Sequence, residues 1–373
     1  MGYDLPRSAS DVDSPHPTPP APSVPASPQQ GTLTEAQSTA QRLAFAPLLF
    51  QAARCARELG VLAALDGVRE GLTLEDVVVR SGVSHYAARV LLDGCVAVEL
   101  ATEEQGRYRL TQAGWLVLHD PVVRVNFDFT HDVCHQASFH LEQSLQHGRA
   151  AGLTELGPWP TVYEGLTKLP QRVQDSWFAF DHFYSDRIFH LALGEILSRG
   201  ARTLLDVGCN TGRFSSLATT CCDVTGLDHP AQLELAQAAI AGAGRGHRFT
   251  PLPIDLLDHA AAFPKGQDAV WMSQLLDCFC ELDIEHLLGR ARAALSDGGR
   301  VYVVETFTDR QRTEPARIAL HGTSLYFTCV ANGQSRMYRA DELLGCLRRA
   351  GLEVELDRPL GPWHTLLVLR GAA

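Results

Sequence analysis

The stretch LLDVGCNTGRFSSLA at residues 204–218 limits the possible fold of this chain more than any other. An apolar run ends at Gly208, a second glycine follows at Gly212, and apolar residues then recur at helical spacing. This order predicts a buried strand, a tight turn and a helix, the unit that nucleotide-binding α/β folds repeat. Gly-Lys-Ser or Gly-Lys-Thr does not occur at the turn, so the sequence excludes a phosphate-binding P-loop.

The same alternation of strand and helix continues to the end of the chain. Five short apolar segments, separated by helical patterns, predict a parallel sheet with helices on both faces. They are TLLDVG, DVTGLD, FTPLPID, DAVWMSQ and RVYVVET. Two further strand patterns, LEVELDRP and HTLLVLRG, are joined by a short loop and should pair antiparallel at one edge. Residues 201–373 are therefore predicted to form one α/β domain.

Three acidic residues near the predicted strand ends suggest what the turn binds. Asp206 lies two residues before Gly208, where a carboxylate would repel a pyrophosphate but would suit a cationic amino group. Asp228 ends the next strand and could accept hydrogen bonds from ribose hydroxyls, while Asp255 could meet an adenine amino group. A ligand with ammonium, ribose and adenine but no phosphate is S-adenosylmethionine. The alternative is a plain tight turn in an α/β enzyme.

The segment LLDVGCNTG resembles the first motif of class I S-adenosylmethionine-dependent methyltransferases, an acid followed by three alternating glycines. Asn210 replaces the middle glycine, and asparagine tolerates positive φ better than most residues. With FDHFYSD, DAVWMSQLLDCF, LSDGGRVYVVE and YFTCVANGQSRMYRADELLGCLRRAGL in family order, residues 40–373 resemble the small-molecule O-methyltransferases of the caffeate and hydroxyneurosporene type. The resemblance implies a Rossmann-like methyltransferase domain of α/β class behind an N-terminal, mostly helical winged-helix dimerisation domain.

The resemblance also implies positions for the cofactor and the acceptor molecule. Asp228 is implied to bind the ribose of S-adenosylmethionine, and Asp255 and Leu256 to bind the adenine. The residues implied to bind its methionine end are Asp206, Gly208, Asn210 and Gly212. The residues implied for the acceptor site are His182, Phe183, Tyr184, Gln274, His321, Tyr326 and Phe327. For His182, Tyr184 and His321, simple packing or hydrogen bonding is the alternative.

One family motif is broken in this chain. Family members usually carry LHDW after the fourth strand, and its histidine is the base that removes the phenolic proton. Here LLDCF places Asp277 at the histidine. Glu305 matches one carboxylate that orients the histidine, whereas Ser335 replaces the other. Asp277, with its pKa raised by burial next to Glu305, is therefore the candidate base. Alternatively, the acceptor ionises unaided, or Asp277 has only a structural role.

The N-terminal half divides into three predicted regions. Residues 1–38 are rich in Pro and Ser and predict a disordered leader. Residues 39–120 show the order of a winged helix, with Thr73 and Ser84 as N-caps on either side of a turn at Gly82. Residues 121–200 predict a helical linker and the helices of the acceptor site, ending at Gly200.

Charge argues against nucleic acid as the partner of the winged helix. The chain has a formal net charge of −11, and the second helix of the motif offers only Arg89 as a clear cation. Phosphate contacts need several basic side chains, so we expect the winged helix to form a homodimer instead.

Several further classes of protein are excluded or disfavoured. Because no apolar run approaches about 20 residues and no signal peptide is evident, we expect a cytoplasmic protein without a membrane partner. The ten cysteines are scattered without zinc-ligand spacing, so no metal is expected.

The predicted function is transfer of a methyl group from S-adenosylmethionine to a hydroxylated aromatic or polyketide-like molecule in bacterial secondary metabolism. FDHFYSD together with MSQLLDCF is similar to methyltransferases of bacterial aryl-polyene pigment clusters. That similarity implies an aryl or polyene acid as acceptor, attached to a carrier protein. Two alternatives remain: non-methyl chemistry on the same fold (hydroxylation, decarboxylation or a pericyclic reaction), and a regulator that senses S-adenosylmethionine.

Overall fold

The computed structural model describes residues 33–372, which form an N-terminal helical region and a C-terminal α/β region. Seven strands make one mixed sheet, and two shorter strands make a separate antiparallel pair. The short pair is β1 (Ala101–Glu104) and β2 (Arg107–Leu110). The large sheet contains β3 (Thr203–Val207), β4 (Asp223–Asp228), β5 (Phe249–Pro253), β6 (Gln267–Ser273), β7 (Leu295–Glu305), β8 (Leu352–Leu360) and β9 (His364–Gly371).

The order of the large sheet is β5-β4-β3-β6-β7-β9-β8, in which β3 to β7 run parallel and β9 pairs antiparallel with both β7 and β8. The predicted parallel sheet with an antiparallel edge is therefore confirmed. The chain reverses direction across the sheet between β3 and β6, which lie side by side. Ligands of open α/β sheets bind at the carboxyl ends of the strands at such a switch point.

Fifteen α-helices flank or precede this sheet in the described part of the chain. The first six are α1 (Leu33–Ala44), α2 (Ala46–Glu58), α3 (Val61–Leu65), α4 (Leu74–Ser81), α5 (His85–Ala97) and α6 (Gln112–His119). Four connect them to the sheet: α7 (Pro121–Phe129), α8 (Leu141–His147), α9 (Val162–Gly165) and α10 (Gln171–Ser198). The last five are α11 (Arg213–Ala218), α12 (Pro230–Gly242), α13 (Glu281–Ala294), α14 (Glu314–Tyr326) and α15 (Ala340–Arg349).

Two apolar cores hold helices against opposite faces of the large sheet. Successive residues of β3, Leu204 and Leu205, point into different cores, as the two-residue period of a strand requires. One core includes Leu288 of α13 and Leu347 of α15. The other includes residues of α10, α11 and α12. Because both faces are covered, the central strands are apolar almost throughout, as their sequences predicted.

The predicted winged-helix order is present in the N-terminal region. The side chain of Thr73 accepts a hydrogen bond from the amide of Asp76, whose carboxylate accepts one in return from the amide of Thr73. Gly82 has a φ of 74° at the end of α4, and Ser84 caps α5 as expected. Residues 1–32 of the predicted leader lie outside the part of the chain that the structure describes. Its last six residues, 33–38, belong to α1, so that part of the prediction is wrong.

Helix α10 connects the N-terminal region to the sheet and positions the site. Its C-terminal half packs on the sheet through Ile188, Ala192 and Ile196. Its N-terminal half reaches α14, where Nε1 of Trp177 donates a 2.7 Å hydrogen bond to the hydroxyl of Tyr326. The helix ends before Gly200, which has a φ of 82°. Across residues 33–372, every helix is too short or too polar to cross a lipid bilayer.

Candidate active site

A cavity of about 610 Å³ lies at the carboxyl ends of β3, β4 and β6, with α10 and α14 beside it. Most of the residues that the sequence proposed for cofactor and acceptor line this one cavity. They are Asp206, Gly208, Asn210, Asp228, Asp255, Leu256, His182, Tyr184, Gln274, Asp277, Tyr326 and Phe327.

Four predicted residues do not line the cavity. Phe183 packs under the guanidinium of Arg187, 4.0 Å from the ring centre, and its ring lies behind Tyr184 and Trp363, which do line the cavity. His321 is exposed on α14. Placing these two residues in the acceptor pocket was therefore wrong. Gly212 packs against α12, where an added Cβ would come 2.7 Å from the Cβ of Ala236. Glu305 lies buried behind the cavity wall.

The glycine-rich turn has the backbone that its sequence requires. Gly208, Asn210 and Gly212 all have positive φ, at 73°, 50° and 74°. A side chain at position 208 would also come within 2.6 Å of Leu275. Asparagine thus adopts the left-handed conformation in place of the family's middle glycine, as predicted. The amide of Asn210 donates a 2.8 Å hydrogen bond to Oδ2 of Asp228, which ties the turn to the end of β4.

The acids at this end of the cavity differ in their surroundings. Asp206 is buried and accepts a 2.5 Å hydrogen bond from the hydroxyl of Ser215, and burial raises the pKa of its carboxyl to about 7. Burial also raises the pKa of Asp228, although the amides of Asn210 and His229 donate to its carboxylate. Asp255 is exposed and accepts from the amide of Leu257 at 2.9 Å.

Asp181 lines the same cavity and was missed by the sequence analysis. Its Oδ2 accepts a 3.0 Å hydrogen bond from Nδ2 of Asn210, and burial raises the pKa of its carboxyl to about 7. The available signal was an acid inside the aromatic segment FAFDHFYSD, four residues before Ser185 on the buried face of α10. A carboxylate placed among aromatic residues in a helix usually has a specific partner.

Asp277 lies in a short helical turn, Leu276–Cys278, and only 7% of its surface is exposed. Burial raises the pKa of its carboxyl to about 7, and the thiol of Cys278 donates to it at 3.5 Å. Glu305 is also buried, and burial raises its pKa well above the usual value. Its Oε1 accepts hydrogen bonds from the amides of Leu275 and Leu276.

The far side of this turn is held by the segment in which the family places its second carboxylate. Nδ2 of Asn332 donates to the carbonyl of Cys278 and to the hydroxyl of Ser335, both at 2.8 Å. The hydroxyl of Tyr338 donates to the carbonyl of Phe279 at 2.7 Å. The turn that carries Asp277 is thus fixed through its backbone from both sides.

The remaining wall of the cavity is largely aromatic. Rings and other apolar groups from α7, α9, α10, α14 and the residue after α14 surround this end: Phe129, Tyr163, Trp177, Phe180, Tyr184, Leu320, Tyr326 and Phe327. The hydroxyl of Tyr184 donates to Oδ1 of Asn126 at 3.0 Å. His182 lies 3.1 Å from the hydroxyl of Thr211, and burial lowers its pKa to about 4, so it is neutral at pH 7.

Gln274 lines the cavity in a strained backbone conformation, with a φ of 49°. Its Oε1 lies 2.9 Å from Nε2 of His364. Burial lowers the pKa of His364 to about 4, so the imidazole is neutral and its Nε2–H donates to the amide oxygen. The amide NH₂ of Gln274 is left as a donor.

Comparison with known proteins assigns both regions of the chain. The Dimerisation2-like domain matches residues 37–108, and a methyltransferase domain matches residues 179–356. The chain is 27% identical over 319 residues to the L-tyrosine C(3)-methyltransferase of Streptomyces lavendulae, covering 83% of this chain and 85% of that one. It is 26% identical to the 3-hydroxy-5-methyl-1-naphthoate 3-O-methyltransferase of Streptomyces sahachiroi, over 73% and 77% of the two chains.

The fold also matches solved structures over most of its length. The apo structure of the S-adenosylmethionine-dependent methyltransferase SibL superposes with a TM-score of 0.67 and 26% identity, covering 90% of this chain and 99% of that one. The site and fold together define an α/β methyltransferase. The chain carries a Dimerisation2-like domain before a methyltransferase domain and is similar to S-adenosylmethionine-dependent methyltransferases over most of its length.

Proposed function

We propose that this methyltransferase acts on a hydroxyl-bearing aromatic small molecule of secondary metabolism, with Asp277 as the proton acceptor. One observation carries the proposal. A single cavity has the acids of the glycine-rich turn at one end and aromatic side chains at the other, and Asp277 lines the same cavity. An aromatic wall favours a flat, apolar acceptor.

The residues at the turn fit the cofactor that the family requires. S-adenosylmethionine supplies a methyl group on a positively charged sulfur. Asp228 lies at the end of β4 with its carboxylate fixed by two amides, which suits it to hold the ribose hydroxyls. Asp206, Gly208 and Asn210 would surround the methionine end, and Asp255 with Leu256 the adenine. Alignment of the acceptor for in-line displacement accounts for most of the rate.

Asp277 meets the requirements of a base better than its residue type suggests. An ordinary aspartate has a pKa near ~4 and is a poor acceptor for a phenolic proton. Burial raises the pKa of this carboxyl to about 7, so it is a stronger base and is still partly ionised at pH 7. In this proposal the amide NH₂ of Gln274, whose oxygen is bonded to His364, would donate to the oxygen that loses the proton.

The methylated atom is proposed to be the hydroxyl oxygen. The naphthoate 3-O-methyltransferase relative bears a name that describes this reaction. A ring carbon next to the hydroxyl is the second candidate, because the name of the tyrosine relative describes methylation at C(3). Both reactions begin with loss of the same phenolic proton. On carbon, the ring hydrogen at the methylated position must also leave.

The proposal includes the acceptor's attachment, the dimer and the location. Similarity to the aryl-polyene cluster enzymes favours a hydroxylated aryl or polyene acid, linked to a carrier protein. The Dimerisation2-like domain supports a homodimer. All ten cysteines are free thiols, which supports the cytoplasm as the location.

The test is a product assay on the full chain. Free and carrier-linked hydroxylated aromatic and polyene acids are incubated with S-adenosylmethionine. Release of S-adenosylhomocysteine is followed, and the product is analysed by mass spectrometry and NMR. A mass gain of one methyl group with an O-methyl signal is the expected result, and a C-methyl signal selects the second candidate. Conversion of an acceptor to an unmethylated product would overturn the proposal.

A further inference from the structure

We propose that Asp181, held by Asn210, binds the α-ammonium group of S-adenosylmethionine as a second carboxylate beside Asp206. The inference rests on the proposed cofactor site and adds a residue that lies outside the glycine-rich motif. Asp181 comes from α10, a helix that precedes the first strand of the large sheet. The helix that carries Asp181 therefore contributes to both the cofactor end and the acceptor end of the cavity.

The contact between Asp181 and Asn210 depends on the residue that replaces the family's middle glycine. Asn210 has its side chain on a left-handed turn, and Nδ2 reaches Oδ2 of Asp181 at 3.0 Å. A glycine at position 210 could adopt the same backbone but could not make this bond. Asn210 thus fixes the carboxylate of Asp181 beside the turn that holds the methionine end.

Asn210 also leaves an acceptor without a donor. Its Oδ1 is buried and has no hydrogen-bond partner within residues 33–372. Buried polar atoms in native proteins are almost always paired, so an unpaired one next to a ligand cavity points to a group that the ligand supplies. An ammonium group has three N–H donors, and Asp181, Asp206 and the amide oxygen of Asn210 are acceptors from three neighbouring elements.

The charges around Asp181 favour a cation. Burial raises the pKa of Asp181 most, Asp186 and Asp277 raise it further, and Arg213 and the hydrogen bond from Asn210 lower it. Arg213 already pairs with Asp186. His182 is neutral at pH 7 because burial lowers its pKa to about 4. The negative charge at Asp181 is therefore not balanced by its neighbours, and a positively charged ligand group would stabilise it.

Asp206 alone does not fill this role. One of its oxygens accepts the 2.5 Å hydrogen bond from Ser215, and only 2% of the residue is exposed. The side chain of Asp181 is 26% exposed and lines the cavity, so its carboxylate is open to a ligand group there.

The experiment measures binding by calorimetry with two probes, S-adenosylhomocysteine and 5′-methylthioadenosine, which lacks the amino-acid end. Asp181→Asn should weaken binding of S-adenosylhomocysteine at least ~10-fold and leave methylthioadenosine within ~2-fold. Asn210→Gly should act in the same direction, by at least ~5-fold. Asp175→Asn, on the exposed face of α10, is the matched control and should change neither affinity.

A second readout is the proton balance of binding. Burial raises the pKa of Asp181 to about 7, so part of the protein carries a proton there at pH 7, and a bound cation expels it. Asp277 and Asp206 can release protons as well, so the comparison is between wild type and Asp181→Asn. Calorimetry in phosphate and in Tris should show fewer protons released by the variant.

The outcomes separate this inference from the proposed function. Equal loss of both probes in Asp181→Asn would make Asp181 a structural residue and overturn the inference. Unchanged binding of S-adenosylhomocysteine would overturn it too. Wild-type protein that binds S-adenosylhomocysteine but methylates no hydroxylated aromatic acid would contradict the proposed function and leave the role of Asp181 standing.

Discussion

Oε1 of Glu305 accepts a 2.8 Å hydrogen bond from the amide of Leu276, the residue that precedes Asp277. A second bond to the same oxygen comes from the amide of Leu275 at 3.0 Å. The family resemblance gave Glu305 the task of orienting a histidine side chain. Here its carboxyl holds the backbone of the turn. Glu305 is therefore a positioning residue, and Asp277 is the group that meets the acceptor in our proposal.

Two substitutions of Glu305 should distinguish the effect of its hydrogen-bond acceptor from the effect of its charge. Glu305→Gln keeps an oxygen that both amides can reach, so we expect kcat within about threefold of wild type. Glu305→Leu leaves two buried amides without acceptors, which costs on the order of 1–3 kcal/mol each. We expect its kcat to fall at least ~10²-fold, with a lower melting temperature. Steady-state kinetics and thermal unfolding measure both effects, and a Gln variant as impaired as the Leu variant would contradict the positioning role.

Asp277→Asn tests the proposed base. The amide keeps the shape of the side chain but cannot accept the proton, so the rate of methyl transfer should fall at least ~10²-fold. Binding of S-adenosylhomocysteine should stay within a few fold. Single-turnover kinetics measure the transfer step directly. A loss smaller than ~5-fold would mean that alignment alone carries the reaction.

The pH dependence of the wild type provides an independent check on Asp277. The ionised carboxylate is the active form, and burial raises the pKa of this group to about 7. The rate should therefore rise as pH increases through about 7 and level off above it. Asp277→Asn should lack that ascending limb. An identical limb in the variant would assign the titration to another group.

The strands and the glycine-rich turn could be predicted from the sequence because their signals are local. Each central strand is a short apolar run between breakers, and Asn210 shows its tolerance of positive φ from its residue type alone. The inward face of α10 could not be predicted in the same way. Phe183 and Asp181 are two residues apart in one aromatic segment, and only the packing of the helix decides that Asp181 faces the cavity and Phe183 does not.

The hydrogen-bond partners of Glu305 could not be predicted from the sequence either. Its position at the end of β7 predicted a place in the site; in the structure Glu305 does not line the cavity but bonds to the turn that carries Asp277. Which group a buried carboxyl contacts depends on the loop folded against it. In this chain the loop presents the backbone amides of Leu275 and Leu276 to it.

Asp228→Ala should weaken binding of the whole nucleoside half of the cofactor. A hydrogen bond to a charged group contributes about 1.5–3 kcal/mol, which corresponds to roughly a 10- to 100-fold loss of affinity. Because the carboxylate also anchors the amide of Asn210, the variant frees the turn as well. Calorimetry should show that S-adenosylhomocysteine and 5′-methylthioadenosine are weakened together. This pattern is opposite to the one expected for Asp181→Asn. Unchanged affinity in a folded variant would remove Asp228 from the ribose.

The last prediction concerns the exposed apolar side chains at the start of the N-terminal region. Leu43 of α1 and Leu48 of α2 are 76% and 69% exposed in the single chain, and Phe45 between them is also exposed. Clusters of exposed apolar side chains mark surfaces that another protein covers. Because the Dimerisation2-like match begins at residue 37, we expect a second copy of the chain to cover this cluster. By light scattering we expect wild type to have the mass of two chains and the double variant Leu43→Glu with Leu48→Glu to have the mass of one. Leu235→Glu, on α12 of the α/β region and also exposed, should remain a dimer. If the double variant stays dimeric and folded, the pairing surface lies elsewhere on the chain. Wild-type protein that is monomeric at micromolar concentration would contradict the homodimer itself.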